Sequence, residues 1–226
     1  MKNYRYVLKF KDTHVGRKIK NCLDYAWRYT PSKNNFMNYS VFVLGPNEHE
    51  RKQLIYDKCL RQQSTANGNP ISTIDDLRKY EKKLEESDKI PFFASIKSAP
   101  YVLIYTHRVA DKINSYQQEN MDNGNVYEQT FPQGTDKYHA ASLLSRIEIG
   151  MFAANFSNKC FENQIDVSFI LCMPTELEAW TEPEWDFITD SPVLIQLAGR
   201  GESFRRDFID ENTDLKPNFG EIVKFL

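Results

Sequence analysis

The chain has 226 residues, with 29 Lys and Arg against 31 Asp and Glu, a formal charge of −2 at pH 7. That length suits one domain over residues 1–226 that buries its own core without disulfide or metal support. Hydrophobic residues at 41% and charged residues at 27% exclude a disordered chain, and the near-neutral balance argues against a nucleic-acid binder.

Tyr4–Phe10 alternates aromatic and basic residues and predicts an extended arm or strand. From Arg17 to Tyr29, Ile19, Cys22, Leu23 and Ala26 recur at i, i+3, i+4, i+7, the signature of a helix with one buried face. Thr30-Pro31 ends it, because a residue before proline avoids the helical region. Ser40–Leu44 reads as a buried strand. Asn47 and Glu50 resemble a helix-start box for a helix burying Leu54, Ile55 and Cys59, with a polar loop expected over Gln62–Pro70.

Ser72 or Thr73 opens a charged helix to about Ser87, whose apolar side is Ile74, Leu77, Tyr80 and Leu84. Ala99–Thr106 is a second buried strand. Asn114–Thr135 is a long polar stretch, read as a lid, an insertion or disorder. From Thr135 or Asp136 to about Asn163 runs the strongest helix. Ala140, Leu143, Leu144, Ile147, Met151, Phe152, Ala154 and Phe156 cover more than one of its faces, so a second chain is expected to bury part of it. Val167–Cys172 predicts a third strand, Thr175–Trp180 a short helix and Pro192–Ala198 a fourth strand. A tail follows through Gly199-Arg200-Gly201 to Ile222–Leu226. Helices interleaved with strands favour an α+β or α/β layer around a small mixed sheet.

Several chemistries find no motif. Cys22, Cys59, Cys160 and Cys172 form no C-x-x-C pair, and His14, His49, His107 and His139 show no ligand spacing, so no metal site is expected. Hydrolase elbow, phosphate-loop and dinucleotide fingerprints are absent. No apolar run approaches the ~20 residues of a membrane span. Met1–Tyr6 has no signal-peptide block, which makes a cytoplasmic protein the expectation.

Within Ile19–Gly45, the helix is followed by Thr30-Pro31-Ser32-Lys33-Asn34-Asn35 and then the strand SVFVLG. This arrangement resembles the nitroreductase family of flavin enzymes, which place P-S-x-x-N between a first helix and a first strand. Ala99–Ile104, Glu148–Phe156, Gln164-Ile165-Asp166, Pro192–Gly199 and Leu215–Val223 (LKPNFGEIV) follow in the family's order. The resemblance implies an α+β, three-layer α/β/α fold with a small mixed sheet and a long central dimer helix. It implies a homodimer with FMN at the subunit interface. NAD(P)H would reduce the flavin, and a nitroaromatic, quinone or similar acceptor would then take the electrons. No catalytic side chain is implied, because the flavin is the reacting group.

The same resemblance assigns Ser32 and Asn35 to the flavin ring, with the charge of Lys33 beside them. A hydroxyl and an amide can both donate and accept there. It also assigns Arg5 and Lys216 to the phosphate; Arg205-Arg206 (Arg206 above all) in the preceding loop is a basic pair that would compensate for missing contacts, or else an ordinary surface pair. The N-terminal stretch over Arg5 lacks the serine and the further arginines usual in the family, and Leu215 stands where a basic residue is common. Two alternatives therefore remain. One is a divergent relative that has lost FMN and serves as a binding or assembly module; the other is an unrelated domain in which Pro31–Asn35 is only a helix-stop turn.

Overall fold

The computed structural model describes residues 6–13, 15–32, 37, 39–107, 119, 122–123, 136–174, 177–186, 188 and 192–205; within these, side chains are not described for Tyr6, residues 136–144 and Arg205. The elements run β1 (Tyr6–Lys11), α1 (Gly16–Tyr29), β2 (Tyr39–Leu44), α2 (His49–Ala66), α3 (Ile74–Glu86), β3 (Tyr101–His107), α4 (Asp136–Glu162), β4 (Asp166–Ile170) and β5 (Pro192–Arg205). Short 3₁₀ turns lie at Phe92–Lys97, Leu177–Trp180 and Pro183–Trp185.

The strands form one five-stranded sheet in the order β1-β5-β3-β2, with β4 also paired to β5. All the ladders described are antiparallel. Alternation along β3 sends Val102 and Ile104 to one face, and Leu103 and Tyr105 to the other. The first face packs on α2, α3 and the paired Trp180 and Trp185, whose rings meet edge-on at 5.3 Å. The second packs on α1 and α4 through Ile19, Cys22, Ala26, Phe152, Phe156 and Cys160. Helices therefore cover both faces, giving three layers.

The structure moves three boundaries. α2 continues to Ala66, so the first half of the expected Gln62–Pro70 loop is helical; Ser64 is buried there and its hydroxyl returns to the Arg61 carbonyl at 2.9 Å. Asn47 does not cap α2. The cap position is Glu48, with no side-chain cap bond, and Glu48 pairs instead with Arg51 at 3.2 Å. Gly199-Arg200-Gly201 is strand rather than tail: β5 leaves β3 and β4 there and continues alongside β1. A Cβ on Gly199 would stand 2.6 Å from Pro100 Cδ and 2.9 Å from Phe10 Cδ1, so only glycine lets these strands meet. Thr73 does cap α3, accepting the Asp76 N–H at 3.1 Å. The 114–135 stretch, apart from three residues, and the chain beyond Arg205 lie outside the described residues.

Candidate functional site

α1 stops where the proline rule requires. Thr30 folds back on the last turn, its hydroxyl donating to the Ala26 carbonyl at 2.6 Å and its N–H to the same oxygen at 3.0 Å. The chain re-enters regular structure at Tyr39, after Met37 in the left-handed region at φ 47°. The middle of α4 crosses this break. Ser32 Oγ lies 3.0 Å from each oxygen of Glu148 and donates its proton to that carboxylate. The same oxygen accepts the Met37 N–H at 2.7 Å. Two turns further along α4, Asn155 Nδ2 donates to the Tyr29 carbonyl at 3.1 Å and to Thr30 Oγ1 at 3.2 Å. One helix thus holds both sides of the break, and Glu148, only 5% exposed, is kept in the interior by hydrogen bonding.

Behind the break, Tyr39 turns toward α4 and meets Phe152 edge-on at 5.6 Å. Phe152 also meets Tyr105 at 6.0 Å. Tyr39 is 6% exposed, and its hydroxyl has no hydrogen-bond partner among the described residues. Burial, with the charge of Glu148 added, pushes its phenol up to about 12. It therefore stays protonated and able to donate. Tyr105 differs in being satisfied: it donates to Gln196 Oε1 at 2.5 Å, and Gln196 Nε2 donates to Ser157 Oγ at 2.7 Å and to the Ala153 carbonyl at 3.3 Å. His107, opposite Tyr39 in the ladder, contacts Ser145 of α4 through Nδ1.

Three large apolar side chains on these two helices are exposed, beside the exposed Arg28 and Arg146. Trp27 and Tyr29 at the end of α1 are 55% and 63% exposed, and Ile147 on α4 is 59% exposed. Gly150 and Ala154 are exposed on the same helix, and a Cβ on Gly150 would meet nothing within 4 Å.

Among the residues singled out in the sequence, Ser32 is placed at this corner; Arg5, Lys33, Asn35, Arg206 and Lys216 lie outside the described residues. The sequence did not single out Glu148, Asn155 or Tyr39 as parts of the corner. Glu148 and Asn155 carry one available signal: each is a polar residue inside the most apolar helix of the chain. A second cleft, of about 400 Å³, opens between β1, the start of α2 and the Ser98–Pro100 segment. Its buried Lys52 is committed to the carbonyls of Pro46 and Pro100, at 3.3 and 3.2 Å.

The architecture has counterparts among solved structures. A proposed NAD(P)H:FMN oxidoreductase from Staphylococcus epidermidis superposes with a TM-score of 0.59, covering 98% of this chain and 92% of that one at 13% identity. The fold is that of the nitroreductases. A nitroreductase-like protein from Streptococcus mutans gives 0.57 over 97% of this chain and 92% of that one, at 15% identity. A BluB-like flavoprotein from Clostridium difficile gives 0.55 over 97% and 94%, at 17% identity. No protein-family model and no curated protein matches the sequence. Pro31-Ser32 follows the first helix, ahead of β2, and no helix among the described residues is long and apolar enough to cross a membrane.

Proposed function

We propose that the chain is an FMN-dependent oxidoreductase of the nitroreductase type, a single-domain cytoplasmic homodimer that passes electrons from NADH or NADPH to a nitroaromatic, quinone or similar acceptor. The observation that carries this reading is the placement of Ser32. Pro31-Ser32, the start of the P-S-x-x-N motif, stands at the α1 break, where Glu148 of α4 holds Ser32 and Asn155 holds Tyr29 and Thr30, in a fold whose solved examples include proteins named as flavoproteins and NAD(P)H:FMN oxidoreductases.

The residues at the corner fit such a group. The Tyr39 phenol is a buried donor with no partner among the described residues, and a ligand carbonyl would satisfy it. When bound, FMN supplies the ring that accepts hydride and passes electrons on. The chain's own part is to hold and orient. Glu148 and the Met37 N–H fix the Ser32 hydroxyl, leaving a lone pair free to face a ligand donor. Asn35 and Lys33 would supply an amide and a positive charge from the same segment, and Arg5, Arg206 and Lys216 would neutralise the phosphate. A second copy of the chain, seated on Trp27, Tyr29 and Ile147, would close the corner and exclude water.

A rival reading also has an observation behind it: Ser32 is already occupied by its own chain, as expected of a corner that has ceased to bind flavin. The visible spectrum of the purified protein mixed with FMN separates the two. The enzyme reading expects a bound yellow chromophore that bleaches with NADH or NADPH, in a particle twice the chain mass. A colourless monomer that gains no chromophore supports the rival.

A further inference from the structure

The cleft of about 400 Å³ between β1, the start of α2 and the Ser98–Pro100 segment is separate from the flavin corner: its wall residues Phe10 and Ala99 belong to the core on the α2 side of the sheet. Pro46 and Pro100 complete an apolar wall, and the volume is that of a small-molecule site. Ser98 stands among them with its hydroxyl already spent. It accepts the Phe10 N–H at 3.1 Å and donates to the Ser95 carbonyl at 3.2 Å.

Lys52 is the unusual member of this lining. It is only 2% exposed, and a lysine is seldom buried without a counter-ion. Its ammonium carries three hydrogens. Two go to the carbonyls of Pro46 and Pro100, at 3.3 and 3.2 Å, and the third has no acceptor among the described residues. No carboxylate there forms an ion pair with it. The exposed lysines of the same cleft are the paired ones, Lys9 with Glu202 at 3.0 Å and Lys97 with Glu81 at 2.7 Å. Burial outweighs the charges of Glu48 and Asp12 and holds the Lys52 ammonium down. The fold therefore carries a buried cation with no anion set against it, which is costly unless something supplies one.

We propose that this cleft binds a small organic monocarboxylate with an apolar body, whose carboxylate meets the Lys52 ammonium and whose body lies against Phe10, Pro46 and Pro100. One uncommitted N–H and one unpaired charge match a single carboxylate. A neutral ligand would leave the cation uncompensated. A phosphate or dicarboxylate suits the site less well: it needs several donors, and Asp12 and Glu202 already bring negative charge to the lining.

The test is a nuclear magnetic resonance titration of the ¹⁵N-labelled full chain with cyclohexanecarboxylate, without flavin. Cyclohexanecarboxamide, its neutral counterpart, and inorganic phosphate serve as controls. The expected result is saturable shifts at the amides of Phe10, Lys52 and Ser98, with those of Ser32 and Tyr39 unmoved. The Kd should be at least about tenfold weaker for the amide, for phosphate, and for the acid on Lys52→Met, the loss of one charge-assisted hydrogen bond. If Lys52→Met does not fold, the acid–amide ratio and the location of the shifts in the parent decide. No saturable shift, shifts centred on Ser32 and Tyr39, equal affinity for acid and amide, phosphate bound as tightly as the acid, or unchanged binding by folded Lys52→Met would each overturn the proposal. A chain that binds FMN but no carboxylate would defeat this inference alone.

Discussion

On the sheet face covered by α2 and α3, the charges close on one another. Arg78 grips Asp57 through two bonds of 2.7 Å and reaches Glu81 at 3.0 Å; Lys97 holds the other Glu81 oxygen at 2.7 Å and lies 4.3 Å above the Tyr56 ring. The face covered by α1 and α4 is different. It buries a carboxylate held by a serine hydroxyl, leaves a phenol without a partner among the described residues, and shows Trp27, Tyr29 and Ile147 to solvent. The first face pairs these charges within itself, although Gln63 Oε1 of α2 is also buried there without a partner among the described residues. The second carries costs that a ligand and a partner subunit would offset.

Variants can break that contrast. The largest effect should come from Trp180→Ala on the first face, which empties the space beside Trp185 and removes the indole donor 3.2 Å from the Pro174 carbonyl. A loss of about 3–5 kcal/mol in denaturant unfolding is expected, with flavin affinity of the folded fraction unchanged. Gln196→Leu, inside the α4 face, should cost about 2 kcal/mol because the fully buried Tyr105 hydroxyl loses its acceptor; an equilibrium melt against the parent measures it.

The sequence already disclosed most elements, since α1, α3, β2 and β3 depend on local periodicity and on stop signals such as Thr30-Pro31. The full length of β5 was hidden because Gly199 and Gly201 look like a turn until Pro100 and Phe10 are known to lie against the strand. The corner was half legible. Pro31-Ser32 marks it locally, but Glu148 and Asn155 lie more than a hundred residues away, and only the packing of α4 across the break joins them.

A pH experiment tests the first face. Burial holds the Lys52 ammonium down to about 8, against ~10.4 for a free lysine. Between these values the unfolded chain binds a proton that the folded chain lacks, so stability should rise with pH. The slope is at most about 1.4 kcal/mol per unit. In chemical melts from pH 8 to 9.5 the parent should gain stability relative to Lys52→Met; the raised thiols of Cys59 and Cys160 act in the opposite direction in both proteins and drop out of the difference. Above that window the raised phenols of Tyr39, Tyr56 and Tyr105 act in the opposite direction. The smallest effect concerns Tyr39→Phe, which removes a buried hydroxyl lacking a partner among the described residues; the flavin-free protein should gain up to about 1 kcal/mol in the same melt while retaining flavin less well.

The central claim is that the α1–α4 corner grips a flavin, and FMN fluorescence quenching on the parent and on Ser32→Ala tests it most directly. The account predicts saturable binding by the parent and a Kd about tenfold weaker for the variant, the loss of roughly one hydrogen bond. A parent that does not quench FMN, or a Ser32→Ala protein with an unchanged Kd, would contradict it.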